Sequence, residues 1–317
     1  MLVFPGGEII IHGKAPADRC TIRRREYGMN INKQIKVTRR IMPVAVACFM
    51  VLIFSTAAMA VTHKNSEEIK KLDETACSDG FSFVVVADSH VDDAAFGKIV
   101  QIASVIKPDF AISVGDSTKN GTQDEYAQFI NEISPAGIPW FVVPGNHEYR
   151  TPDGHTSADG RQRFEKVFGP SDFTFTHCGW RFIGIDIVAY ESLLPGVLAK
   201  MEKALKGYEG KAAVFMHYPP SIIKNWEDGY WSANAKEMMA LLEKDQVPFF
   251  FSGHIHIYDH LKIGPTDYII TGGGSSGVDT DVPKEKYNDP NGGAFTHFIL
   301  VTVKDDKATY SVVRPNY

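Results

Sequence analysis

The sequence predicts an α/β layered domain over roughly residues 80–317, and three observations carry that prediction. Six short runs ("FSFVVVAD", "DFAISVGD", "PWFVVPGN", "RFIGID", "KAAVFMH" and "VPFFFSGH") are apolar without interruption, as strands buried on both faces are. Amphipathic stretches of helical length fall between them. From Asp259 onward, apolar and polar positions alternate instead, as in antiparallel strands. Hydrophobic residues make up 44% of the 317 and charged ones 22%, which suits a chain with a sizeable core. A net charge of -5 gives no basis for a nucleic-acid partner.

Residues 1–60 stand apart from that domain. "KVTRRIMPVAVACFMVLIFSTAAMA" has a basic flank, an uncharged apolar run from Ile41 to Phe54, and then Ala58-Met59-Ala60. That order reads as a secretory signal cleaved after Ala60. Met29 opens a conventional basic leader, so translation is expected to start there rather than at Met1. The alternative is an uncleaved anchor, since Ile41 to Val61 is just long enough to span a bilayer. The expectation is a periplasmic or secreted protein whose only membrane contact is transient, through the signal. Residues 61–79 read as a linker.

Within the domain, Asp93 to Ile106 follows the first strand as a helix. Thr122 to Ile133 is a second helix, opened by Thr122 and Glu125 at capping-box spacing. "FTFTHCGWRFIGID" reads as a hairpin turning at His177-Cys178-Gly179. Pro195 to Leu205 is helical, with proline suited to the first turn, and Ala233 to Glu243 is a further amphipathic helix. "HLKIGPTDYIITGGG", "AFTHFILVTVK" and "KATYSVVR" complete the chain as antiparallel strands.

What stands at the strand ends points to chemistry. They deliver Asp88-Ser89-His90, Gly115-Asp116, Gly145-Asn146-His147-Glu148, His217 and Gly253-His254-Ile255-His256. In sheets of this kind ligand sites gather beyond the carboxyl ends of the strands, so five ends bring metal-ligating groups to one rim. Taken singly, each has a plain alternative: a helix cap for the aspartates, a buried backbone-bonded ring for His217. Carboxylate, imidazole and amide oxygen without cysteine suit manganese, iron or zinc in a working rather than structural site.

The ordered set Asp-x-His, Gly-Asp, Gly-Asn-His-Glu, His and Gly-His-x-His, spread over Phe81 to Gly274, resembles the calcineurin-like metallophosphoesterase superfamily. The resemblance implies a four-layer α/β/β/α sandwich with two central mixed sheets and two bound metal ions. It implies one ion held by Asp88, His90, Asp116 and His256, and the other by Asp116, Asn146, His217 and His254. Asp116 would bridge them. It further implies hydrolysis of a small phosphomonoester or phosphodiester, by in-line attack of a metal-bridging hydroxide. His147 resembles the non-ligand histidine that contacts phosphate and protonates the leaving group. Cyclic-nucleotide hydrolysis and a non-catalytic metal-containing binding domain are the alternative readings.

Family members often carry aspartate three places after the bridging one, to orient the catalytic histidine. Here Lys119 stands there, with Glu148 a candidate substitute acid. "TGGGSSG" (Thr271 to Gly277) reads either as a phosphate-approaching loop or as a tight turn needing positive φ. Tyr218, Trp226, Tyr230 and Trp231 are read as walls of a substrate pocket, with core cover as the alternative. His155, His177 and His260 are read as loop, hairpin or surface residues. Strands 81–87 and 181–187 would both end at the metal rim, so Cys77 and Cys178, just before them, would meet at the opposite pole as a disulfide.

Overall fold

A computed structural model describes residues 9–10, 64–73, 77, 80–91, 94–150, 158–188, 195–226 and 233–315. The chain divides into two compact units, Met1–Ile11 with Val61–Tyr317 and His12–Ala60; the second lies outside the described residues, and with it the signal or anchor run. Among the described residues no helix is long and apolar enough to cross a membrane.

The strands in chain order are β1 (Ile9–Ile10), β2 (Phe81–Val86), β3 (Phe110–Val114), β4 (Trp140–Val143), β5 (Phe173–His177) and β6 (Trp180–Ile185). They continue as β7 (Ala212–Met216), β8 (Phe249–Ser252), β9 (Tyr258–Ile263), β10 (Thr266–Thr271), β11 (Phe298–Lys304) and β12 (Lys307–Arg314). The helices are α1 (Lys64–Asp73), α2 (Ala94–Ile106), α3 (Gln123–Ile133), α4 (Ala158–Phe168), α5 (Pro195–Leu205) and α6 (Ala235–Lys244). Among the described residues two six-stranded sheets result, in the orders β1-β12-β11-β2-β3-β4 and β5-β6-β7-β8-β10-β9. Both are mixed: β2, β3 and β4 run parallel while β11 opposes β2, and β6, β7, β8 and β10 run parallel while β5 and β9 oppose their neighbours.

Alternation along each strand explains why the runs are apolar throughout. Phe83, Phe110 and Phe141 face Phe182, Phe215 and Phe251 of the other sheet. Phe83 alone meets Phe182, Phe215 and Phe251 edge-on, with ring centroids 5.3, 6.4 and 6.4 Å away. The intervening Val84, Val86 and Ala111 pack instead with Phe96, Ile99 and Phe129 of α2 and α3. Val214 and Met216 likewise pack with Met201 of α5 and Met238 of α6. Each valine, isoleucine, methionine or phenylalanine so buried contributes about 1.5–3 kcal/mol.

The capping box forms as its spacing requires: the Thr122 hydroxyl accepts the Glu125 amide, and Glu125 accepts the Thr122 amide. The hairpin β5–β6 turns through Cys178 and Gly179, at φ 47° and 78°, two left-handed residues of the kind that match strand twist. Cys178 is joined to Cys77 in a disulfide with Cα atoms 5.4 Å apart.

The structure corrects one sequence expectation and adds two details to the others. The supposed linker contains α1, whose inner face is Asn65, Glu68 and Leu72 rather than an apolar stripe. Asn65 takes up the outer hydrogen bonds of Val142 in β4: its Oδ1 accepts the Val142 amide and its Nδ2 donates to the Val142 carbonyl, both at 3.0 Å. From Ala158 the chain forms α4, which the sequence reading did not single out, anchored by Phe164 and Phe168. The tail hairpins part company: β9–β10 extends the second sheet, whereas β11–β12 crosses to the first and lies beside β2.

Candidate metal centre

The segments after β2, β3, β4, β7 and β8 leave their sheets at one rim. The chain after β2 runs alongside the one after β3, through Asp88 N to Gly115 O (3.1 Å), His90 N to Asp116 O (3.0 Å) and Val91 N to Ser117 O (3.1 Å). This ladder bends the backbone sharply. Asp88, His90, Val91, Asp116 and His254 all have left-handed φ, between 39° and 71°. Such residues cost on the order of 1–3 kcal/mol each and persist only where the surroundings impose them. At Gly145 the approach is closer still: a Cβ there would lie 2.2 Å from Asp116 Oδ1.

Two groups of donors result. Asp88, His90 and His256 turn one ligand atom each into a common space, with His90 Nε2 3.4 Å from His256 Nε2 and Asp88 Oδ1 3.6 Å from the latter. Asp116, His217 and His254 do the same, His217 Nε2 lying 3.3 Å from Asp116 Oδ2. Asn146 Oδ1 completes this group, 3.0 Å from both His217 Nε2 and His254 Nδ1. Asp116 also gathers with His90 and His147, which puts its carboxylate between the two groups. All eight residues singled out in the sequence thus meet at one rim. His254 and His256 reach different groups through a kinked backbone, with Ile255 N bonded to Gly253 O and Ile257 N to Ile255 O, rather than by alternation along an extended one.

Backbone carbonyls fix the rings. His90 Nδ1 faces Thr118 O (3.4 Å), His147 Nδ1 faces Lys119 O (2.8 Å), His217 Nδ1 faces Val114 O (2.9 Å) and His256 Nδ1 faces Gly277 O (2.7 Å). A carbonyl only accepts, so Nδ1 is the protonated nitrogen and the Nε2 lone pair points inward. This resolves the anomaly at Lys119. Its carbonyl, not its side chain, orients His147, and the side chain is exposed.

Glu148 is not a substitute acid. It is wholly buried; Oε2 accepts the amides of Asp116 (2.8 Å) and Gly145 (2.7 Å), and Oε1 the amide and hydroxyl of Thr118 (both 2.9 Å). It braces the loops carrying Asp116 and Asn146. Its place directly after Gly-Asn-His was visible in the sequence, but not that its partners are backbone amides.

The electrostatics suit cations. Burial pushes the Asp88 carboxyl up to about 7. Burial opposes ionisation of Asp116 as well, yet His217 beside it holds that carboxyl well below the usual range. In return Asp116 raises His217, against its burial, to about 9; metal binding would displace that proton. Burial lowers His90 to about 4 and His254 to about 3, and lowers His147 too, leaving their lone pairs available near neutrality. Among the described residues, Asp88 Oδ1 is buried without a hydrogen-bond partner. A buried carboxylate oxygen without a donor is costly, and a cation among Asp88, His90 and His256 would satisfy it. The donor set therefore fits two metal ions.

Other expectations resolve differently. Trp226 is wholly buried and belongs to the core, while Tyr218 lies against the His254 ring, centroids 4.6 Å apart. Tyr230, Trp231 and His155 lie outside the described residues. The glycines of "TGGGSSG" do not take positive φ; at Gly272 a Cβ would stand 2.1 Å from Ile255 O, so close packing is what requires glycine. His177 is buried rather than exposed, with Nε2 3.1 Å from Asp109 Oδ1, and His260 is ion-paired to Asp267 at 2.9 Å.

Comparison with known proteins agrees with this geometry. A probable glycerophosphodiester phosphodiesterase of Arcobacter nitrofigilis is 28% identical over 47% of this chain and 57% of its own length. The chain thus spans little more than half of that relative. A probable cyclic nucleotide phosphodiesterase of Xenorhabdus bovienii is 24% identical over 61% of this chain and 75% of its own. Among solved structures, the purple acid phosphatase PPD1 of yellow lupin (Lupinus luteus) has a TM-score of 0.57 at 14% identity, over 75% of this chain and 55% of that one. A dimetal phosphatase of Danio rerio has a TM-score of 0.52 at 13% identity, over 75% and 100%. These two show the shared fold. The family model for calcineurin-like phosphoesterase matches residues 81–258, from the start of β2 to just past His254 and His256, and the chain belongs to that family of phosphoesterases.

Proposed function

We propose that this protein is an exported, binuclear metal-dependent phosphodiesterase. The observation that carries the metal reading is the buried, unpartnered Asp88 Oδ1 facing His90 and His256. In this reading Asp88, His90, Asp116 and His256 hold one cation, and Asp116, Asn146, His217 and His254 the other. Bound metal would supply an activated water and offset charge on the phosphoryl oxygens. The chain's own part is orientation and proton delivery. His147, its Nδ1 committed to Lys119 O, keeps Nε2 at the rim, 3.7 Å from Asp116 Oδ2. Although burial disfavours its charged form, Nε2 is placed to take a proton from solvent and pass it to the departing alkoxide.

Diester rather than monoester substrates are favoured because the curated relatives carry phosphodiesterase names. Cyclic nucleotides are the second reading, on the name of the Xenorhabdus bovienii relative. Export is supported by the basic-apolar-small order of residues 36–60 and by the disulfide, which suits an oxidising compartment. The test is metal analysis together with turnover of nitrophenyl phosphate, its bis-ester and cyclic AMP. The reading expects two metals per chain and preference for the bis-ester. Metal-loaded protein that cleaves none of the three would instead indicate a binding domain.

A further inference from the structure

Two loops beside His254 and His256 are tied together by one buried carboxylate that the chemistry above does not use. Asp259, in β9, is wholly buried. Its Oδ2 accepts the Trp226 indole N–H at 2.7 Å and the Asn288 side-chain amide at 3.0 Å. Its Oδ1 accepts the backbone amides of Asn288 at 2.9 Å and Asp289 at 2.8 Å. Asn288 Nδ2 also reaches Lys224 O, at 3.1 Å. Asp259 therefore fastens the segment after His217 to the segment after the glycine-rich loop. A buried charge costs several kcal/mol unless every lone pair is engaged, and here four N–H groups converge on it.

Between the two fastened segments lies a cavity of about 440 Å³, lined in part by Asn225, Ile255, Ile257, Asp279, Asp281 and Lys286. Ile255 and Ile257 flank His256 in the chain, and Asp279 accepts the His256 amide at 2.9 Å. The cavity thus adjoins the metal rim, and its volume suits a small organic group. The isoleucines offer a wall for a carbon skeleton. Two carboxylates against one lysine disfavour a second anion.

We propose that this cavity seats the larger alcohol of a phosphodiester, an uncharged or cationic one, and that Asp259 is the positioning residue holding its walls in register. The proposal rests on the phosphodiesterase reading above. Two chromogenic diesters test it on the metal-loaded full chain: thymidine 5′-(p-nitrophenyl) phosphate and methyl p-nitrophenyl phosphate. Both release nitrophenolate and differ only in the second alcohol. The unaltered protein is expected to show a KM about tenfold lower for the thymidine ester, a modest pocket contribution. Asp259→Asn and Asn288→Ala should shrink that ratio to about threefold or less, by raising KM for the thymidine ester. Trp226→Phe, which keeps the core filled and removes one donor, should shift it the same way and covers failure of Asp259→Asn to fold. Equal KM values in the unaltered protein, or variants that change kcat for both esters in step with the ratio intact, would overturn the cavity alone. No cleavage of either ester would overturn the phosphodiesterase reading and the cavity with it.

Discussion

Glu148→Gln gives the sharpest test of how the centre is built. The carboxylate serves four donors on two oxygens: the Asp116 and Gly145 amides on one, the Thr118 amide and hydroxyl on the other. Glutamine has one acceptor oxygen. Its least disruptive pose keeps that oxygen on Asp116 and Gly145 and turns the NH2 toward Thr118. The hydroxyl of Thr118 can rotate to accept, but its amide is left without a partner, at about 1–3 kcal/mol. The bonds that survive change from charge-assisted to neutral, which weakens each further. Burial above all, and repulsion from Asp116, push the Glu148 carboxyl up to about 7, so removing the charge offsets part of this and a net loss of about 1–2 kcal/mol is expected. The assay is urea denaturation, read as a lower midpoint at unchanged slope, with metal content measured on the same samples. Metal content should fall as well, because the affected amides belong to the loops that carry Asp116 and Asn146. A variant with full metal content and stability within about 0.5 kcal/mol of the unaltered protein would refute the brace.

Asp116→Asn should reduce occupancy of both metal positions, whereas His147→Ala should retain metal and lower kcat by about 10²–10⁴; full activity of the latter across pH would remove His147 from the chemistry. Cys77→Ser should destabilise by about 3–5 kcal/mol, since the bond links residues 101 apart, and equal urea midpoints for oxidised and reduced protein would contradict that. His260, although burial opposes its charge, is raised to about 9 by Asp267 and Asp289. Its contribution is therefore complete below its unfolded pKa of about 6.5 and lost as pH rises through about 9. The pair is partly exposed, so screening limits this to roughly 1 kcal/mol. Urea midpoints at about pH 6 and about pH 9.5 should diverge between the unaltered protein and His260→Gln; parallel behaviour would refute the coupling.

The strands and the metal-binding candidates could be read from sequence because both signals are local. An unbroken apolar run marks a doubly buried strand, and a polar residue directly after it stands at the rim. What escaped depends on partners distant in the chain. α1 is hard to see because its inner face is polar, and Asn65 makes sense only against Val142. Lys119 looked adverse because its side chain was the visible part, while its carbonyl does the orienting. Nothing in "KATYSVVR" or "YDHLKI" says which of two sheets each joins. Asp259 looks like an ordinary polar position in an alternating strand until Trp226 and Asn288 are seen to converge on it.

The Asn65 bond to Val142 bears on where the protein can be shortened. β4 is the last strand of its sheet, and its outer amides and carbonyls would otherwise offer a template for a strand from another molecule. A version beginning after Asp73 would keep every residue of the metal centre and the hub at Asp259, yet lose the helix that occupies that template. Such a truncation is expected to self-associate edge to edge while its chemistry stays intact. By that expectation α1, next to the expected cleavage point at Ala60, would serve solubility rather than catalysis.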